Sequence, residues 1–216
     1  MKNRKMRIIT YLIAFAGILL AAALYPLLPE QIPTHWNSDG TITYSGKATT
    51  FITSGMGALL AVLFDILPKI DPRRNNYQKF GSYYDLFCIL IQIFLLLVNG
   101  ITLTEALRPG TLSVPMTIML GIGLLFLLTG NMMPKFKSNF YMGIKTPWTI
   151  SSEEVWRKTH RLGGKCFVLA GIFNIICAFL PSTTAVFHGT IIVILITCLI
   201  PSVMSFIWWR QEQKGS

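Results

Sequence analysis

Ile8–Leu28 reads IITYLIAFAGILLAAALYPLL, with no charge from end to end. An α-helix rises about 1.5 Å per residue, so roughly 20 apolar residues cross a hydrocarbon core about 30 Å thick. This stretch is long enough to do so. The basic segment Met1–Arg7 precedes it, and no small-residue cleavage site comes before Tyr25-Pro26. It therefore reads as a retained helix with its amino terminus inside, not as a removed signal peptide. Five further apolar stretches follow, at about Thr49–Leu67, Tyr83–Thr104, Val114–Met133, Cys166–Leu180 and Val186–Trp209. The fifth is short, and it gains length if its helix begins earlier, in the amphipathic Ser152–Arg161. The sixth closes on Trp208-Trp209-Arg210, an interfacial aromatic pair with a cationic stop. With 52% hydrophobic and 13% charged residues, the chain is expected to be an all-α polytopic membrane protein of six transmembrane helices, residues 1–216 forming one integral membrane domain.

Charge placement orients the bundle. With the amino terminus inside, the inner segments collect Lys2, Arg4, Lys5, Arg7, Lys69, Arg73, Arg74, Lys79, Lys135, Lys137, Lys145, Arg157, Lys158, Arg161, Lys165, Arg210 and Lys214. Lys47 and Arg108 are left outside. That asymmetry follows the positive-inside rule and puts both termini in the cytoplasm. The net charge of +10 then faces the anionic inner leaflet of a lipid bilayer, and no direct nucleic-acid partner is expected.

The chemistry-bearing residues argue against an enzyme. Cys88, Cys166, Cys177 and Cys198 lie in or at the ends of spans without a CxxC pair, so they read as packing residues. His35 and His188 fall outside and His160 inside, and no HExxH occurs; neither a metal site nor a cofactor is expected. Asp65 and Asp85, near the inner ends of spans two and three, read as salt-bridge partners of Lys69, Arg73 or Arg74, with a proton or ion relay as the alternative. Gln92, Asn99 and Asn174 are buried polar residues suited to bonding a neighbouring helix. No catalytic residue is assigned.

Two connections are too elaborate to be turns. In the outer loop, residues 29–48, Ile32, Thr34 and Trp36 alternate before Asn37-Ser38-Asp39-Gly40, and Ile42 and Tyr44 alternate after it. This is the pattern of a small β-hairpin. An isolated hairpin is marginal, so Ile32 and Trp36 should rest on the mouth of the bundle or the lipid interface. In the inner loop, residues 134–165, Gly143 permits a tight turn and Pro147 holds Thr146 extended. Ser151 is expected to cap a helix with Glu154 completing a capping box, and Glu153 and Glu154 to pair at i,i+4 with Arg157 and Lys158. Trp156 and His160 stack one turn apart on a face that could lie on the membrane, and Gly163-Gly164 forms a flexible or closely packed joint.

Gly143-Ile144-Lys145-Thr146-Pro147-Trp148-Thr149, then Glu154-Val155-Trp156, then Thr159-His160-Arg161-Leu162-Gly163-Gly164-Lys165, closely resembles the inner-loop signature of the SdpI-like bacterial toxin-immunity membrane proteins. Leu28–Asn37 followed by Gly40 is similar to the small amino-terminal domain often found in that family. The resemblance implies a multi-pass protein of the bacterial cell membrane that protects its producer from a secreted killing peptide by stoichiometric binding. For the best-known family member it also implies signalling, through capture of a cytoplasmic transcriptional repressor. On this reading, Pro29, Ile32, Pro33, His35, Trp36 and Asn37 are the outer candidates for toxin contact. Asn139, Gly143, Thr146, Pro147, Trp148, Glu154, Trp156, His160 and Arg161 are the inner candidates for docking or coupling. A small-molecule or peptide efflux transporter and a membrane-bound enzyme modifying the toxin remain as alternatives, and the sequence sets no oligomeric state.

Overall fold

The structure, a computed structural model, describes residues 3–37, 39–181 and 184–215. Lys2 of the basic amino terminus and Ser38 of the hairpin turn lie outside the described residues. Nine elements follow one another: α1 (Arg4–Leu24), β1 (Gln31–Trp36), β2 (Ile42–Gly46), α2 (Thr49–Ile70), α3 (Tyr77–Leu107), α4 (Val114–Met132), α5 (Pro147–Ser151), α6 (Glu153–Ala178) and α7 (Thr184–Gly215). All but β1, β2 and the short α5 are long and apolar enough to cross a membrane. The start of α1 lies by the end of α2, and the latter part of α7 by the α4–α6 connection that bonds the α2–α3 connection, so these ends share one face, here the terminal face. The hairpin occupies the other.

The helices pack in two groups. α1, α2 and α3 contact one another, α6 lies between α4 and α7, and α3 joins α4. Each group has its own way of bringing helices close. In the amino-terminal group, long amides on α3 reach backbone carbonyls: Gln92 Nε2 donates to Gly57 O at 2.9 Å and Asn99 Nδ2 to Gly17 O at 3.1 Å. In hydrocarbon neither helix gains by hiding from water, so such bonds and close packing hold the pair together.

The carboxy-terminal group uses glycine. A Cβ on Gly130 would lie 2.8 Å from Gly164 O, and one on Gly164 would lie 2.7 Å from Gly130 O. Two turns away the relation repeats, with Gly123 2.9 Å from Gly171 O and Gly171 2.7 Å from Gly123 O. The α4–α6 crossing is thus backbone against backbone. Gly163-Gly164, expected to be a flexible or closely packed joint, is the close-packed one, and α6 runs through it as one helix. The segment expected to lie flat on the membrane is therefore the terminal-face end of α6 itself. Its apolar face is covered by the chain's own inner loop, which removes any reason to spread on lipid.

On the opposite face β1 and β2 pair antiparallel, Trp36 opposite Ile42 and Pro33 opposite Tyr44, with a bulge between Pro33 and His35. Ile32 is fully buried against Leu28, Leu103 and Ala106, so the hairpin sits on the end of α3. Gly40 turns the chain at φ +85°, and Asp39 Oδ1 accepts both the hydroxyl and the amide of Thr41, at 2.7 and 2.9 Å. Those two bonds, the hydroxyl's first, hold the Asp39 carboxyl below its ordinary range.

The glycine seam makes a direct prediction. Gly130→Ala or Gly171→Ala must push backbone from backbone and should destabilise the protein by about 2 kcal/mol or more. Gly100→Ala, where an added Cβ meets nothing within 4 Å, should have little effect. Thermal unfolding of the three purified variants in one detergent measures the contrast; equal midpoints would refute the seam.

Candidate functional site

The connection between α4 and α6 crosses the terminal face as irregular chain over most of its length, and its backbone groups need partners near a membrane surface. Side chains from inside the protein supply them. Asn139, fully buried, accepts from the amides of Tyr141 and Met142 at 3.0 and 2.6 Å and donates to the carbonyls of Lys137 and Met142 at 2.9 and 3.0 Å. Its Oδ1 also accepts the Tyr77 hydroxyl at 3.2 Å. Asp71, only 2% exposed, accepts from Phe140 N at 2.9 Å and the Tyr77 hydroxyl at 3.0 Å. One tyrosine thus ties the α2–α3 connection to the α4–α6 loop.

Arg73 strengthens that tie. It donates to the Ser138 hydroxyl and, at 2.7 Å, to Ile150 O, while its guanidinium lies 5.3 Å from the centre of the Phe140 ring. Asn76 Nδ2 adds a bond to Ser138 O at 2.8 Å. Asp71, Arg73 and Tyr77 were not among the candidates read from sequence. Their signal was present in the polar run Asp71–Tyr77, which has more hydrogen-bonding side chains than a plain turn needs.

Trp156 and His160 anchor the other side. Their rings stack 4.0 Å apart at 18°, and both are buried, at 3% and 1% exposure. Trp156 Nε1 donates to Phe136 O at 2.8 Å. His160 faces the Trp156 carbonyl with Nδ1 at 2.8 Å and accepts Ile144 N with Nε2 at 3.1 Å, which fixes a neutral ring protonated on Nδ1. Gly143, at φ +106°, passes so close over Nε2 that any Cβ would strike it.

Helix capping differs from the sequence expectation. The capping box belongs to Thr146 and Thr149 at the start of α5: Thr149 N donates to Thr146 Oγ1 at 3.1 Å and Thr146 N to Thr149 Oγ1 at 2.8 Å. Ser152, not Ser151, caps α6 by accepting Val155 N at 3.2 Å. Ser151 sits inside α5 because Pro147, in the first turn, starts a helix there. Glu154 takes both cations, Arg157 at 2.7 Å and Lys158 at 3.5 Å. The terminal face pairs Asp65 with Arg7 at 3.6 Å and Lys69 at 3.7 Å, and gives Asp85 the amide of Asn3 at 2.9 Å. Arg73 goes to the loop instead.

The inner candidates therefore separate by exposure. Asn139, Trp156 and His160 are internal, Trp148 is half-buried with its ring 4.9 Å from Phe206, and Thr146 bonds Ser205 at 2.9 Å. Gly143, Pro147 and Arg161 are exposed, and Glu154 is half-buried. At the surface they have neighbours that sequence reading passed over, Phe140 and Tyr141, at 38% and 37% exposure. Among the outer candidates Ile32 and Pro33 are buried, Ile32 seating the hairpin, Trp36 is half-buried, and Pro29, His35 and Asn37 are exposed. On the opposite strand Ile42, 39% exposed, faces Trp36, and Tyr44, 53% exposed, faces Pro33. On the same face a mostly apolar cleft of about 400 Å³ opens between the ends of α4 and α6, lined by Pro115, Met116, Met119, Phe179 and Leu180. Among the described residues no group of three or more His, Cys, Asp or Glu side chains is placed to hold a metal ion.

Asn139→Ala should leave two loop amides and two carbonyls without their internal partner and destabilise the protein by about 3 kcal/mol. Gly143→Ala should loosen the same loop by displacing His160. Limited proteolysis of membranes should cut 137–150 faster in both variants than in wild type. Unchanged cutting would remove the structural role given to these residues.

Comparison with known proteins adds lineage to this geometry. Residues 135–206 match the SdpI/YfhL protein family, and residues 12–58 match the domain of unknown function DUF1648. The chain is 24% identical over 213 residues to "Immunity protein SdpI" of Bacillus subtilis (strain 168), covering 98% of this chain and 99% of that protein. No solved structure matches. The first match holds the clasped loop with α6 and most of α7, and the second runs from α1 through the hairpin into α2. The chain is a multi-pass bacterial membrane protein similar to the SdpI/YfhL family over its carboxy-terminal segment and to DUF1648 over its amino-terminal one, both carried on one frame of six membrane-length helices.

Proposed function

We propose that this chain is an immunity protein, protecting the bacterium that carries it from a secreted, membrane-active peptide. The observation that carries this reading is end-to-end similarity to an immunity protein, with neither chain extending far beyond the other. The cationic terminal face is cytoplasmic, because it holds the Lys and Arg excess and the anionic leaflet attracts it. The hairpin then faces outward, toward the peptide.

Protection works by stoichiometric binding and not by chemistry. Ile32 holds the hairpin on α3, leaving Trp36, Ile42 and Tyr44 as an apolar cross-strand surface for an apolar peptide. The hairpin is carried on the end of α3. Where signalling accompanies protection, a cytoplasmic repressor would meet Phe140, Tyr141, Pro147 and Arg161, since Trp156 and His160 are internal. A change of loop arrangement would transmit occupancy only if the peptide binds the two arrangements unequally.

Survival decides the proposal. Expressed in a sensitive host, the full chain should protect against at least one peptide in a panel of membrane-active toxins, and the toxin should be recovered with its mass unchanged. Trp36→Ala and Tyr44→Ala should each weaken binding by about 2 kcal/mol, roughly 30-fold in the toxin dose tolerated, at equal expression. A mass change would make it an enzyme, and protection that vanishes when the membrane is de-energised would make it an exporter.

A further inference from the structure

Between α1, α2 and α3 of the amino-terminal group lies a half-open cavity of about 10 Å³, lined by Gly17, Thr53, Ser54, Gly57, Gln92 and Asn99 together with apolar side chains. Gln92 is near the middle of α3, far from either end of the span. The two hydroxyls have committed their hydrogens, and each amide has committed one of its two. Gln92 and Asn99 donate to Gly57 O and Gly17 O, Ser54 Oγ to Thr50 O at 2.9 Å, and Thr53 Oγ1 to Thr49 O at 3.3 Å.

The unmet need in this lining is an acceptor's, and it lies at Asn99. The amide is 1% exposed, and its Oδ1 has no hydrogen-bond partner. Flipping the amide does not help, because it would turn oxygen toward the Gly17 carbonyl. A buried acceptor left in this state costs about 1 to 3 kcal/mol. The species that completes such a site must donate hydrogen or carry positive charge.

Size and charge choose between these. The cavity's volume is that of about one water molecule. No carboxylate lines it, and a bare cation at this depth would meet the full penalty of an unpaired charge in hydrocarbon. We propose that the site binds a single internal water, which donates one hydrogen to Asn99 Oδ1 and the second to another lone pair of the lining. The water gives α1, α2 and α3 a shared hydrogen-bonded centre that the direct amide bonds leave incomplete. It is independent of the immunity reading.

Crystals of the full chain grown from rubidium salts, at a resolution that shows ordered water, test this. One density peak is expected within hydrogen-bonding distance of Asn99 Oδ1, with no rubidium anomalous signal. In Asn99→Leu, which keeps volume but removes the acceptor, that peak should be lost. An anomalous signal at the position would overturn water in favour of a monovalent cation, and a wild-type map with no peak would overturn the site altogether. A peak that persists in Asn99→Leu would remove Asn99 as its ligand. Should that variant not fold, the wild-type map and its anomalous signal still decide.

Discussion

The backbone of residues 136–150 has to find its hydrogen bonds inside the protein, and that requirement organises the terminal face. A helix satisfies itself, whereas irregular chain at a membrane surface does not. Asn139, Asp71, Arg73, Thr149, Trp156 and His160 each serve this backbone directly. Residues that resemble a docking motif in sequence are mostly the inner supports of the loop. The part of the signature open to a partner is what these supports leave outside.

The same bonds connect the two helix groups. Direct packing between them runs chiefly through α3 and α4, which meet along a limited surface. Asp71, Arg73, Asn76 and Tyr77 extend from the amino-terminal group onto the loop that belongs to the carboxy-terminal one. Movement of α2 and α3, on which the hairpin side also depends, would therefore be felt at the loop before it is felt at α7. This supplies a physical route from one face to the other without a mobile hinge at Gly163-Gly164.

The spans and the hairpin were readable because apolar length and alternation report on them directly. Ile8–Leu28 could hardly be anything but a span. The burial of Trp156 and His160 was not readable. An amphipathic face at Val155, Trp156, Thr159 and Leu162 has the same pattern whether lipid or the chain's own loop covers it. The cap moved from Ser151 to Ser152 for a similar reason, since adjacent serines offer equal side chains and only the path of α5 chooses between them. Asp71 was passed over because it follows a span in a charged turn, where a carboxylate ordinarily faces water.

The contrast between the helix groups suggests where this protein gives and where it does not. The α4–α6 seam has no side chain to rotate out of the way, so it tolerates neither insertion nor sliding. In the amino-terminal group the contacts are amide bonds from Gln92 and Asn99, which rotate and exchange partners with far less distortion of the backbone. Asp85, Gln92 and Asn99 recur every two turns along α3, all buried, and each meets another element's backbone: Asn3 N, Gly57 O and Gly17 O. The adaptable half of the molecule is thus the half that carries the hairpin, while the rigid half holds the clasped loop. A peptide binding at the hairpin, as proposed, would act on the part able to respond, and the loop would feel that response against a fixed frame.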